Sequence, residues 1–108
     1  MDTVCPGCGK RLKNLKAWET HAARCKKLAK VMQLSYDIPA VNIEDLASLE
    51  IKLLPNNKDW GIWNAKANDW VRDKTGQIDS RVFKRNVKTL LNSVIARTII
   101  TDVRNEDA

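Results

Sequence analysis

The chain has 108 residues, 44% apolar and 30% charged, a balance that excludes a disordered segment and suits one ordinary domain or a mini-domain joined to a modest one. No apolar run approaches the roughly 20 residues of a membrane span, and the opening MDTVCPGC has neither the basic nor the apolar region of a secretory signal. The net charge of +6 is polarised: residues 1–30 carry eight basic side chains against Asp2 and Glu19, whereas the rest of the chain is neutral. General solubility needs no such polarity, but a polyanion-binding module attached to a neutral body does.

Taken in chain order, the first feature is CPGCGKRLKNLKAWETHAARC, residues 5–25, which holds all three cysteines and the only histidine. An odd cysteine count argues against a closed disulfide framework, so a reducing, intracellular setting and thiols held by a metal are expected. From about Asn14 to Gln33 there is no Gly or Pro, and the composition predicts one continuous helix. Ser35-Tyr36-Asp37-Ile38-Pro39 breaks it. NIEDLASLEIKLL then reads as a second helix, with Asn42 as N-cap and Glu44 and Asp45 in its first turn, ended by Pro55-Asn56-Asn57. Trp60, Trp63, Ala67, Trp70 and Val71 fall on one helical stripe, which predicts a third helix from about Lys58 to Lys74, stopped at Thr75-Gly76, with the tryptophans in its core face.

A last helix is expected from Asp79 or Ser80 to about Ile100. Its core side is Phe83, Val87, Leu90, Leu91, Val94, Ile95 and Thr98. Arg81, Lys84, Arg85 and Lys88 form a basic stripe opposite, a candidate second basic surface. The expected architecture is therefore mainly α: a metal-binding unit with an extended helix over residues 1–33, a linker over 34–41, a small three-helix domain over 42–101, and a polar tail over 102–108.

Within residues 5–25 the donors are spaced Cys5-x2-Cys8-x12-His21-x3-Cys25. Cys-x2-Cys lets one tight turn offer two thiolates to one ion, and Pro6, Gly7 and Gly9 suit that turn. His21 and Cys25 lie one turn apart on a helix, so the two pairs close a tetrahedral site from opposite sides. So small a unit depends on the metal for its folding energy, with Leu12, Leu15 and Trp18 as its own small core. With all four positions filled by protein the metal is structural, and a thioredoxin-type redox pair lacks its βαβ setting.

Over residues 3–27 this stretch resembles the two-cysteine, two-histidine zinc finger of ββα architecture, in the variant where cysteine replaces the last histidine. The family places an aromatic four residues after the second cysteine and a leucine three before the first histidine. Here those positions hold Leu12 and Trp18, so large and small are exchanged. The resemblance implies one structural Zn2+ on Cys5, Cys8, His21 and Cys25. It also implies a helix that enters the major groove, with Asn14, Ala17 and Thr20 at the base-contact positions and Lys16 beside them. Lys10, Arg11, Lys13, Arg24, Lys26 and Lys27 would then meet phosphates.

The expected function is binding of nucleic acid, DNA favoured over RNA, in a regulatory, transcriptional role. One finger reads only about three base pairs, so contacts elsewhere or a second copy are expected to help. The alternative is an adaptor or inhibitor that docks onto a protein through finger and helical domain, since fingers of this kind also serve as protein-docking modules, as in the Friend-of-GATA family. An enzyme is not expected: His21 is spent on metal and no nucleophile motif or phosphate loop is present. Neither a membrane nor a small-molecule substrate is implied.

Overall fold

A computed structural model of the chain describes residues 3–34 and 37–107. Ser35 and Tyr36, the start of the expected break, lie outside the described residues. The N-terminal unit opens with a hairpin of β1 (Thr3–Val4) and β2 (Arg11–Leu12), followed by α1 (Leu15–Arg24) and α2 (Lys26–Leu34). A 3₁₀ helix (Ile43–Ser48) leads into β3 (Leu49–Leu53), β4 (Trp60–Asn64), β5 (Asp69–Trp70) and β6 (Ser80–Arg81), and α3 (Lys84–Asp107) closes the chain.

This is a mixed α/β fold with two antiparallel sheets, which overturns the mainly α reading and its three-helix domain. β4 is the centre of the larger sheet. β3 pairs along its whole length, from Leu49 with Asn64 to Leu53 with Trp60. On its other edge β5 pairs with Trp63 and Asn64, and β6 with Trp60 and Gly61. The Val71 carbonyl accepts the Asp79 N–H, so β5 and β6 act as one strand interrupted by the excursion of residues 72–78.

Period two explains the change. Leu49 and Ile51 alternate with Glu50 and Lys52, and Trp60 and Ile62 with Gly61 and Trp63, and the first member of each pair turns towards α3. The tryptophans fit a helical stripe equally well, but β-rich WGIWN gains cross-strand partners as a strand. Trp63 faces Trp70 in register, their rings 5.2 Å apart and edge-on. All three tryptophans are half-buried: Trp60 packs against the core under α3, whereas Trp63 and Trp70 share the sheet face turned away from it. The segments expected to end helices are strand turns: Asn57, Asn68 and Gly76 each take a positive φ, at 59°, 54° and 85°. Asn56 Oδ1 accepts the Lys58 and Asp59 amides, Asn64 Oδ1 those of Lys66 and Ala67, and Asp73 Oδ1 those of Thr75 and Gln77.

The single helix expected over residues 14–33 is broken as well. Cys25 leaves helical geometry (φ −84°, ψ 100°) and separates α1 from α2. Without the break, Leu28 and Met32 would sit about 100° around the axis from Leu15, Trp18 and Ala22, roughly one residue's rotation. The break brings both rows onto α3, and Leu28 and Met32 are buried.

α3 starts four or five residues later than expected, after β6, and runs past Ile100 to Asp107. It is buried on two sides. Val87, Leu90 and Val94 pack against Ile62 and Val71 of the sheet. Ile95, Ala96, Ile99 and Ile100 pack against Trp18, Leu28, Met32 and Leu46. Phe83, expected in this core, is instead exposed. Among the described residues, no helix is long and apolar enough to cross a membrane.

Candidate metal centre and the basic groove beside it

The candidate metal ligands are positioned by short-range features. β1 and β2 are held in register, and between them the Cys5 N–H bonds to the Lys10 carbonyl and the Gly9 N–H to the Cys5 carbonyl. Gly9 has a φ of +80°, which an L side chain rarely adopts. Gly7 is required for a different reason. A Cβ there would lie 2.5 Å from the Leu28 nitrogen and 2.6 Å from its Cα, so the knuckle rests directly on the first turn of α2.

Behind the knuckle, Leu12 and Trp18 are both fully buried, the exchanged pair that the sequence places there. The Trp18 indole N–H donates to Thr3 Oγ1 at 2.6 Å, and that hydroxyl reaches the Leu12 carbonyl at 3.5 Å. The one polar atom of the buried ring is thereby satisfied.

Cys5, Cys8, His21 and Cys25 converge, with one donor atom from each inside 4.8 Å of all the others. A tetrahedral ion with bonds of about 2.0–2.3 Å spaces its ligands by roughly 3.3–3.8 Å. The set therefore needs only a small contraction to hold a metal ion. Cys8 Sγ and His21 Nε2 are already 3.3 Å apart. Burial, and secondarily the charge of Lys10, lowers the His21 pKa and favours the neutral, ligating imidazole. Burial pushes the Cys5 thiol up to about 11, against amide hydrogen bonds from Cys8 and Gly7 that favour its thiolate. An amide hydrogen bond from Lys10 lowers the Cys8 pKa.

Cys25 is the hinge of the unit. Its N–H closes α1 on the His21 carbonyl at 2.9 Å, and its Sγ accepts the Leu28 N–H at 3.4 Å, capping the start of α2. One ligand thus ends one helix and begins the next. The sequence reading missed this junction, and its only signal was the phase slip between the two apolar rows.

The positions expected to contact nucleic acid surround one groove of about 590 Å³ between β2 and α1. Lys10, Arg11 and Lys13 line one wall, Lys16 and Arg24 the other, with Asn14, Ala17 and Thr20 between them. Among the described residues, no acidic side chain lines it. α3 packs on the opposite side of α1, against Leu15, Trp18 and Ala22, so this wall stays open to solvent. Asn14 is the N-cap of α1, its Oδ1 accepting the Ala17 N–H at 2.8 Å, so a bidentate contact with adenine would cost the cap. Lys26 and Lys27 are exposed on the first turn of α2, outside the groove.

The candidate second surface changes shape. Arg81 belongs to β6, opposite Trp60, and only Lys84, Arg85 and Lys88 are on α3. The chain gives no significant match to any protein-family model, curated protein or solved structure.

Proposed function

We propose that this chain is an intracellular nucleic-acid-binding protein, with duplex DNA as ligand and a regulatory role, whose finger is built around one structural zinc ion. The observation that carries the reading is the groove. Five cations line a single concavity, beside the helix face that a finger of this type presents to DNA, and among the described residues its lining holds no acidic side chain. Three sulfurs and one imidazole are the donor set zinc prefers, and four protein ligands leave no position for a reacting water. We therefore read a binding module and not an enzyme.

Lys26 and Lys27 support the same assignment. Two lysines in a helix's first turn oppose its dipole. Three thiolates on a divalent ion leave a net charge of about −1, which these neighbours offset.

The test is fluorescence anisotropy of the zinc-loaded chain on random-sequence duplex DNA across a salt series. With up to five groove cations meeting phosphates, log affinity should fall with log salt at a slope no steeper than roughly −4.5. Chelation should abolish binding. If zinc is present and no complex forms even at low salt, the nucleic-acid reading fails. Attention then moves to the adaptor reading, which the half-buried Trp63–Trp70 pair favours. Lys52 Nζ sits 5.5 Å from the Trp63 ring, on the face of the sheet that α3 does not cover.

A further inference from the structure

We propose that the corner where the sheet meets the start of α3 binds an unpaired stretch of nucleic acid, stacking a base on Phe83 and holding phosphates with Lys84, Arg85 and Lys88. The inference rests on the nucleic-acid reading of the finger and names the form of ligand: a duplex that continues into a single strand.

At this end of the sheet Leu53, Trp60 and Arg81 stand side by side on β3, β4 and β6. Val82 and Phe83 follow, 64% and 55% exposed. The Phe83 carbonyl accepts the Asn86 N–H at 3.1 Å, so the backbone that carries the ring is anchored. Each aromatic carries a cation: Lys84 Nζ is 5.1 Å from the Trp60 centroid, and Arg85 Cζ is 5.0 Å from that of Phe83. Arg85 stands over the Phe83 ring, and more than half of the residue's surface stays in water.

Residues 81–88 contain four cations and no acid. Asp79 pairs with Arg81 at 2.6 Å. Among the described residues, Lys84, Arg85 and Lys88 form no salt bridge. An exposed ring flanked by such cations combines the two elements that hold a single strand, a π-face for the base and charge for the backbone. Bases inside a duplex have no free face to offer, so the corner selects unpaired ones. A second copy of the chain is the poorer occupant, because a two-fold contact would set the same cations against each other.

The corner also adjoins the finger. Lys88 is one helical turn from Asn92, whose Oδ1 accepts the Val4 N–H at 3.4 Å. Val4 pairs across the hairpin with Arg11 at the rim of the groove. From Arg11 over β1 and along α3 to Phe83 is on the order of 20 Å, a short tail's reach.

The experiment uses the full zinc-loaded chain and three probes. These are a blunt duplex, the same duplex with a thymidine tail of about eight nucleotides, and the same duplex with an abasic tail of equal length. The expected result is roughly tenfold tighter binding of the thymidine tail than of the abasic one. Phe83→Ala should erase that preference without changing the salt slope or blunt-duplex binding, and Phe83→Tyr should keep it. Replacing Arg81, Lys84, Arg85 and Lys88 by Gln should lower the salt slope on both tailed probes.

Equal binding of the thymidine and abasic tails overturns the proposal, as does a preference that survives Phe83→Ala. Self-association that disappears in Phe83→Ala, with no preference among tails, assigns the corner to a second copy instead. The finger is read separately: Lys13→Gln with Lys16→Gln should weaken all three probes, the blunt duplex included. If no probe binds, both readings fall. If the finger variant weakens binding and Phe83→Ala changes nothing, only this one does.

Discussion

The two sides of α3 are built by different means. On one side the sheet closes a small core of Ile62, Val71, Val87, Leu90 and Val94 by strand pairing and burial alone. On the other, Trp18, Leu28, Met32 and Leu46 pack onto Ile95, Ile99 and Ile100, with the candidate metal ligand Cys5 inside the same cluster. Residues 31–108, which include the sheet and α3, have no net charge. The N-terminal half concentrates the whole net positive charge on a unit with two-residue strands and two short helices. A metal ion on the cysteine–histidine cluster would offset the repulsion among these cations, with the shared helix packed behind it.

Metal removal should give the largest contrast. Chelation, or Cys25→Ser, should abolish hydrogen-exchange protection over residues 3–34, since apparent metal-binding energies of about 10–16 kcal/mol in such units are folding energy. The sheet over residues 49–81 should keep its protection. Loss of both halves together would break the comparison and make α3 a single cooperative spine.

Gly7→Ala sharpens the same point with a smaller effect. Its methyl group meets the backbone of Leu28, which cannot rotate away, so α2 must lift from the knuckle. A cost of about 1–3 kcal/mol is expected in denaturant titration, with weakened metal affinity in chelator competition and an unperturbed sheet. An unchanged affinity would mean that the knuckle and α2 are not coupled.

The smallest effect is electrostatic. The depressed pKa of His21 keeps its ring neutral, and so able to ligate, to lower pH than the ordinary value of 6.5. Burial is the main cause and Lys10 the lesser. Protons and the metal compete for the same nitrogen, so a lower pKa of the free ring extends metal binding to lower pH. Lys10→Gln removes part of the depression, so metal release on acidification should begin at a slightly higher pH, as followed by a colorimetric zinc indicator. A shift to lower pH would contradict the assigned cause.

Legibility in the sequence followed range. Cys5, Cys8, His21 and Cys25, the knuckle glycines and the core pair Leu12 and Trp18 lie within twenty-one residues, and local backbone geometry is enough to bring the four ligands together. The later turns were marked too, since Asn57, Asn68 and Gly76 recur at the spacing of short strands. A helical stripe through Trp60, Trp63 and Trp70 competed with that signal and misled the reading, because an offset of three puts Trp60 and Trp63 on one face of a helix but on opposite faces of the strand they form.

By itself, then, the sequence determined the candidate ligand set, the polarity of charge and the existence of a long final helix, each a matter of residue identity or spacing within one segment. Only the tertiary structure decided that residues 49–81 form strands, because the pairing of Ile51 with Ile62, and the burial of both faces of α3, depend on partners remote in the chain. The turn of the chain at Cys25 and the exposure of Phe83 belong to the same class. Each follows from which surface α3 has left to cover, and the phase slip between the two apolar rows around Cys25 is the only local trace of it.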